Sequence, residues 1–234
     1  GDGDGQILAF TTDGTFLRQI GRGGTSADSH DTSHVSRAAG LAVHPRTNEL
    51  FVADGYGNRR VIVFDADTGA YKRHWGAYGN RPDDSAPRAR VSTGAGAQQF
   101  NTPHGIAISD DGIVYVADRA NNRVQAFTLD GKFLREGYNR RESQGTGSAF
   151  GVALSRDPQQ RFVYVADGSN ERVAIMDRPT LEVIGHIGRP GRMAGEFFHI
   201  HSIATDPKGN IITGESQGYR IQRFLYKGLT PGTD

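Results

Sequence analysis

Two histidines occupy the same place in similar short segments of the chain. His104 directly precedes Gly-Ile-Ala-Ile at 105–108, and His201 directly precedes Ser-Ile-Ala-Thr at 202–205. Neutral imidazole is a common ligand of Zn²⁺ and related divalent ions, so two converging imidazoles could hold such a metal and leave positions open for substrate. His199 would point the same way as His201 if the chain is extended there. The pattern predicts His104, His201 and His199 as metal ligands, provided that the fold brings them together.

The elements that must position these histidines are internal repeats. Three segments share a Val-Ala-Asp strand end, a turn and an Arg-Val strand start, and a degenerate fourth copy follows; they lie at 51–61, 115–124, 164–173 and 211–221. A short apolar strand precedes each copy, and a third and usually a fourth strand follow it. The repeat recurs roughly every 50 to 65 residues, which is typical of the four-stranded blades of a β-propeller.

The order of these motifs resembles the NHL repeat family over nearly the whole chain. We therefore predict an all-β, NHL-type β-propeller, six-bladed when complete, as one domain over residues 1–234. The segment 6–10 aligns with 172–176, so the chain is expected to begin inside a blade and to contain about four and a half blades. The expected blades are a partial one at about 1–24 and four more at about 35–78, 100–139, 147–189 and 197–226.

The repeat phase indicates where a site would lie. The first strand of each propeller blade lines the central channel, and His104 and His201 directly precede that strand in alternate blades. Three such histidines would converge on the axis of a six-bladed ring, so a third metal ligand is expected outside this sequence. The repeated acidic and arginine residues are expected to have a structural role, holding strand turns and adjacent blades together, because buried charges need partners. They are Asp54, Asp118, Asp167, Arg60, Arg123 and Arg172.

Composition excludes several classes of site. The chain has no cysteine, so disulfides, thiolate metal sites and a cysteine nucleophile are excluded. Its net charge of +1 gives no global field for nucleic acid, and no apolar run is long enough to span a membrane. We predict neither a nucleic-acid nor a membrane partner. The compartment is left open, with export or a periplasmic location favoured.

Four segments narrow the resemblance further. Phe-Val-Ala-Asp-Gly-Tyr-Gly-Asn-Arg-Arg, Arg-His-Trp-Gly, Phe-Asn-Thr-Pro-His-Gly-Ile and Val-Ala-Asp-Arg-Ala-Asn-Asn-Arg-Val resemble the peptidyl-α-hydroxyglycine α-amidating lyases and their bacterial relatives. The resemblance implies a Zn²⁺ or another divalent metal on His104, His201 and a third histidine. It also implies that Tyr56 is the catalytic tyrosine and that Arg119 binds substrate or helps the tyrosine ionise. Ser202 stands where the family has an aspartate, which puts a structural Ca²⁺ in doubt.

Three hypotheses about function follow. The first is a metal-dependent lyase that splits a carbinolamide, peptidyl-α-hydroxyglycine-like substrate in the channel. The second is a non-catalytic NHL propeller that binds a peptide or protein partner. The third is a metal-dependent lactonase or other hydrolase, although the glutamate, asparagine and aspartate ligands of that type do not stand at the strand starts. The identity of a bound metal would separate the first hypothesis from the third.

Overall fold

A computed structural model of the protein describes residues 5–25 and 27–228, which form seventeen β-strands. The only helical segments in these two ranges are single 3-10 turns at Ala77–Gly79 and Arg119–Asn121. No helix in the same ranges is long and apolar enough to cross a membrane. The strands are β1 (Gly5–Phe10), β2 (Phe16–Arg22), β3 (Gly40–His44), β4 (Glu49–Asp54), β5 (Arg60–Asp65), β6 (Tyr71–Trp75), β7 (Pro103–Ile108), β8 (Ile113–Asp118), β9 (Arg123–Thr128), β10 (Phe133–Tyr138), β11 (Gly151–Leu154), β12 (Phe162–Asp167), β13 (Arg172–Asp177), β14 (Val183–Ile187), β15 (Ile200–Thr205), β16 (Ile211–Glu215) and β17 (Arg220–Phe224).

The strands form five antiparallel sheets in which neighbours along the chain are neighbours in space. They are β1–β2, β3–β6, β7–β10, β11–β14 and β15–β17, here named blades A to E. The first strands of blades B to E, namely β3, β7, β11 and β15, lie next to one another in that order. This arrangement confirms the prediction of an all-β, NHL-type propeller of which the chain contains a part. For blade B the repeat predicts strands at 40–43, 50–53, 61–64 and 71–75, and the structure confirms them to within one residue at each end.

The hydrophobic core lies between successive blades rather than inside any one of them. Phe51, Trp75, Phe100 and Phe127 pack together between blades B and C, and similar clusters lie between C and D and between D and E. The second and third strands of blades B and C are covered on both faces, which explains why they are nearly continuous apolar runs. Burying this apolar surface in many small interfaces fixes each blade relative to the next.

An ion pair closes the turn between the second and third strand of blades B to E. The distances between arginine Nε and carboxylate oxygen are 2.9, 2.8, 3.4 and 2.7 Å, for Arg60–Asp54, Arg123–Asp118, Arg172–Asp167 and Arg220–Glu215. In three blades the carboxylate also accepts a backbone N–H from the loop that leads into the first strand, from Ser36, Asn101 and Phe198. The expected structural role of the repeated acid and arginine positions is confirmed, and the pairs hold the lead-in loops in place.

The lead-in loops of blades B, C and E share a residue in the left-handed backbone region. Its φ is 57° at Arg37, 64° at Thr102 and 55° at His199. The carbonyl oxygen of this residue accepts the backbone N–H of Tyr56, Arg119 and Ser216, respectively. Each lead-in loop is therefore joined to the turn of its own blade, and both reach the same mouth of the channel. The assumption that His199 lies in an extended strand with His201 is wrong, because β15 begins only at Ile200.

Candidate functional site

His104 of blade C and His201 of blade E lie side by side although blade D separates their strands. Their ring centroids are 4.7 Å apart with an angle of 75° between the ring planes. Phe150 of blade D, directly before β11, packs against both, with ring centroids at 5.7 Å from His104 and 5.3 Å from His201. The structure thus brings together residues at the starts of three consecutive first strands. His104 and His201 are the second residues of β7 and β15, rather than the residues before them as the repeat predicts, and Phe150 directly precedes β11.

The hydrogen bonds of His104 define its tautomer. Its Nδ1 lies 2.7 Å from the carbonyl oxygen of Phe150, and because a carbonyl can only accept, Nδ1 carries the hydrogen. The lone pair of Nε2 therefore accepts the hydroxyl of Tyr56 at 2.9 Å. Burial, and next the nearby His201, lower the pKa of His104 to about 3, so the ring is neutral at neutral pH. A neutral ring whose Nδ1–H is held by a carbonyl is the usual form of a metal-binding histidine.

Tyr56 connects His104 to Arg119. The guanidinium of Arg119 donates to the Tyr56 hydroxyl at 3.2 Å through one terminal nitrogen and to the carbonyl of Thr146 at 3.1 Å through Nε. The same group lies 5.2 Å from the centroid of the Tyr56 ring and 4.9 Å from that of Phe150. Arg119, Tyr56 and His104 therefore form a continuous chain of hydrogen bonds at the channel mouth.

A glycine places Tyr56 above the lead-in loop of the next blade. A Cβ atom on Gly55 would come within 1.9 Å of the carbonyl oxygen of Pro103, so only glycine lets the turn after β4 pack this closely on the start of β7. Tyr56 follows directly and reaches His104, which follows Pro103. The close backbone approach explains how a residue of blade B contacts a residue of blade C.

His201 and His199 are also held in the neutral form. Burial, and next the charge of Arg119, lower the pKa of both rings. The His199 ring lies 6.4 Å from that of His201 between centroids, and its Nδ1 is 2.7 Å from the Ser216 hydroxyl. Glu171 accepts the backbone N–H of His199. His199 is thus at the rim of the site, and its role as a ligand stays a prediction.

The donor set of this cluster fits a divalent metal of the zinc type. His104 and His201 are both neutral, and nitrogen ligands with open positions suit Zn²⁺. Among residues 5–25 and 27–228, no group of three histidine, cysteine, aspartate or glutamate side chains meets the geometry of a metal site. The third ligand expected outside the sequence therefore stays a prediction, as does Zn²⁺ itself.

Two contributors to the site are not among the predicted site residues. Phe150 supplies the carbonyl that orients His104 and the ring that packs on Arg119, and Thr146 supplies a carbonyl to Arg119. Phe150 could have been found from the repeat phase, because it directly precedes β11 as His104 and His201 precede Gly105 and Ser202. Thr146 acts through its backbone, and its side-chain type carries no signal for this role.

Known proteins support the same fold. A family model described as the NHL repeat matches residues 100–127, which contain β7 to β9 up to Phe127. The peptidylglycine alpha-amidating monooxygenase of Rattus norvegicus is 34% identical over 204 residues, covering 83% of this chain but 18% of the rat protein. A Caenorhabditis elegans protein named "Probable peptidyl-alpha-hydroxyglycine alpha-amidating lyase pgal-1" is 32% identical over 99 residues, covering 42% of this chain and 24% of that protein.

A solved structure agrees at the level of the fold. The streptogramin B lyase structure superposes with a TM-score of 0.62 and 14% sequence identity, covering 97% of this chain and 60% of that one. At this identity the similarity concerns the fold alone. By its repeats, its blades and these relatives, the chain is an NHL-repeat β-propeller that resembles the peptidyl-α-hydroxyglycine α-amidating lyase family.

Proposed function

We propose that this propeller is a metal-dependent lyase that cleaves a carbinolamide of the peptidyl-α-hydroxyglycine type. The observation that supports the proposal most is the chain of contacts from Arg119 through Tyr56 to His104, directly beside His201. It places an ionisable oxygen, a permanent positive charge and two neutral imidazoles at one mouth of the channel.

His104 and His201 would hold the metal, with His199 as a further candidate ligand. When bound, a divalent ion supplies stabilisation of negative charge on the substrate oxygen. The protein already holds the His104 ring in the neutral form with Nε2 directed to the site, through the Phe150 carbonyl. Metal binding would require the Tyr56 hydroxyl to leave Nε2, which frees that oxygen for the substrate.

Tyr56 is suited to proton transfer because Arg119 donates to its oxygen. A guanidinium stabilises a phenolate, and the phenolate can remove the hydroxyl proton of the carbinolamide. As the C–O bond becomes a carbonyl, the bond from the same carbon to the amide nitrogen breaks. The proton held by Tyr56 then goes to that nitrogen, and the products are a primary amide and glyoxylate. The buried Phe150 ring packs against one face of the Arg119 guanidinium and against the His104 ring.

A non-catalytic peptide- or protein-binding propeller is the alternative. The observation that favours it is that both ring nitrogens of His104 are already engaged by protein groups, Nδ1 by the carbonyl of Phe150 and Nε2 by the hydroxyl of Tyr56. His104 can thus satisfy its polar atoms as part of a structural hydrogen-bond chain.

Metal content and turnover together separate these possibilities. The protein would be dialysed against Zn²⁺, Co²⁺ or Ca²⁺, analysed for bound metal, and assayed with N-benzoyl-α-hydroxyglycine for release of benzamide and glyoxylate. The lyase proposal expects retention of Zn²⁺ or Co²⁺ and formation of both products in equal amounts. Retention of Ca²⁺ alone with hydrolysis of lactones would favour the hydrolase hypothesis. A protein that retains no metal and releases no product would favour the binding propeller.

A further inference from the structure

Two exposed arginines lie beside the backbone of the Tyr56 turn. Arg37 donates to the carbonyl oxygen of Tyr56 at 3.0 Å, and Arg88 donates to the carbonyl oxygen of Gly57 at 3.0 Å. Arg37 comes from the lead-in loop of blade B, and Arg88 comes from the long loop between blades B and C. Each guanidinium uses one terminal nitrogen for these bonds and has further N–H groups at an exposed position.

Carboxylates offset the charge of these arginines only in part, through the electrostatic effect of Asp83 on Arg59 and of Asp84 on Arg88. Within the described ranges, neither Arg37 nor Arg88 forms an ion pair, and the same holds for the neighbouring Arg59. The nearby carboxylate of Asp84 is engaged by the backbone N–H and the hydroxyl of Ser29, at 2.7 and 2.6 Å. Partial burial of the guanidinium, and next the charge of Arg59, lower the pKa of Arg88.

Arg59 adds a buried charge beneath this surface. Arg59 is only 2% exposed, and one of its terminal nitrogens donates to the carbonyl oxygen of Ala86 at 2.6 Å. The Nε atom of Arg59 has no hydrogen-bond partner among the described residues. A buried guanidinium without a carboxylate is costly by itself, and an anion bound nearby would offset that cost. Arg37, Arg59 and Arg88 are called here the basic rim.

The repeat places the basic rim at the same mouth as the candidate site. Arg37 holds the lead-in position that Thr102 holds in blade C and His199 holds in blade E. Tyr56 spans the two regions, because its carbonyl oxygen contacts Arg37 and its hydroxyl contacts His104 and Arg119. The basic rim thus begins at the backbone of the same residue whose hydroxyl contacts His104 and Arg119.

We propose that Arg37 and Arg88 bind an acidic side chain of the substrate peptide, one or two residues before the residue that is cleaved. Arginine pairs with carboxylates through two parallel N–H···O bonds, which makes it selective for glutamate or aspartate over their amides. Arg59 raises the local positive potential without touching the peptide. This inference rests on the proposed function and names the substrate class, namely peptidyl-α-hydroxyglycines with an acidic residue near the cleaved end.

The test compares kcat/KM for two peptides that differ by one group. One peptide has glutamate directly before the α-hydroxyglycine, and the other has glutamine at that position. N-benzoyl-α-hydroxyglycine, whose only carboxylate is the terminal one, is the third substrate. The wild-type protein is expected to prefer the glutamate peptide by about tenfold, which corresponds to about 1.4 kcal/mol. The double variant R37Q/R88Q should lose that preference, mainly through KM.

Matched controls make the outcomes distinct. Arg46 is an exposed arginine in the turn between β3 and β4, at the other end of these strands, and it donates to the backbone carbonyl oxygen of Asp110 in blade C. The Arg46→Gln variant should therefore keep the preference. Equal kcat/KM for the two peptides in the wild-type protein would overturn the inference. So would a loss in R37Q/R88Q that is as large for N-benzoyl-α-hydroxyglycine as for the glutamate peptide, because the arginines would then serve the terminal carboxylate.

Failure of the proposed function would be recognised separately. If the metal-loaded wild-type protein cleaves none of the three substrates, the lyase proposal fails. The rim is then tested by the affinity of fluorescein-labelled glutamate and glutamine peptides. Tighter binding of the glutamate peptide that is lost in R37Q/R88Q would support an acidic-peptide surface, and equal affinities would overturn it.

Discussion

Under the lyase proposal, removing the hydroxyl oxygen of Tyr56 should abolish proton transfer without removing a metal ligand. We expect Tyr56→Phe to retain metal and to lower kcat by about 10²–10⁴-fold, because the variant lacks the oxygen that transfers the proton. Metal analysis and turnover of N-benzoyl-α-hydroxyglycine are the measurements. Tyr71→Phe is the matched control, since the Tyr71 hydroxyl also lies 2.9 Å from a histidine nitrogen, Nδ1 of His74, but outside the site. Wild-type turnover by Tyr56→Phe would show that the phenol is not the base.

Under the lyase proposal, His104 is the residue whose loss is expected to weaken metal binding most. The His104→Ala variant removes a proposed ligand whose orientation is fixed by Phe150, and we expect the folded variant to retain less than about a tenth of the wild-type metal. Circular dichroism would establish that it folds, and His186→Ala, which alters an exposed histidine, is the control. Full metal retention by His104→Ala would place the ion elsewhere.

At the residue scale, the sequence predicts where the site residues lie in the fold better than it predicts which atoms they contact. The convergence of His104 and His201 follows from the repeat phase, because both residues hold the same position at the start of a first strand. The role of the Phe150 carbonyl does not follow, since any residue type would supply the same oxygen. The extended backbone assumed at His199 is wrong for a local reason, because His199 itself has a left-handed φ of 55°, which a single sequence does not reveal.

At the scale of elements, Glu49 and Arg73 join blade B to blade C. The carboxylate of Glu49 in β4 accepts two bonds of 2.8 Å from Arg73 in β6, and Arg73 also donates to the carbonyl of Leu129 in blade C. The bonds from Arg73 lower the pKa of Glu49 to about 2, against an ordinary value near 4.5. The stabilisation is therefore fully present above about pH 4.5 and is lost as the pH falls towards 2.

The Glu49→Gln variant tests this link between the two blades. We expect it to lower the free energy of unfolding by about 1–3 kcal/mol at pH 7 and to differ less from the wild type at pH 3. Urea unfolding at the two pH values measures both quantities. A difference between the proteins that is as large at pH 3 as at pH 7 would contradict the proposed ion pair.

The repeated ion pairs differ in their surroundings, which gives a comparison within one fold. Arg123 and Asp118 are fully buried, whereas the Arg172 side chain is 18% exposed and lies 3.4 Å from Asp167. We expect Arg123→Ala to cost about 3–5 kcal/mol, because it leaves a buried carboxylate without its cation. Arg172→Ala should cost clearly less, since Asn139 and Asn170 also donate to Asp167. Equal losses in thermal unfolding would show that burial does not set the strength of these pairs.

The strands were predictable because the repeat aligns four copies of each. The structure of the long loop between blades B and C could not be predicted, because its segment 79–99 has no counterpart in the other blades. Its contacts arise from single side chains, such as Arg90 donating to the carbonyls of Ala120 and Ser143. Such bonds depend on where distant backbone oxygens lie, and they leave no periodic pattern in the chain.

At the scale of the whole molecule, a shared metal would connect blades that are not neighbours. His104 and His201 belong to blades C and E, so bound Zn²⁺ would add a constraint across blade D. We expect about 2.7 kcal/mol of stabilisation at a Zn²⁺ concentration of 100 times Kd. Thermal unfolding with Zn²⁺ and with a chelator measures the shift, and His104→Ala should not show it. An identical Zn²⁺-dependent shift in His104→Ala would mean that the ion binds outside this cluster.

The hydrogen bond from His104 to the carbonyl of Phe150 has a consequence for the origin of the site. Tyr56, His104 and Phe150 are contributed by blades B, C and D, and no single blade contains two of them. Duplicating one ancestral blade would therefore produce a stable ring before it could produce this cluster. Chemistry of this kind requires that the copies diverge from one another, and the ring provides the fixed frame in which such divergence can accumulate.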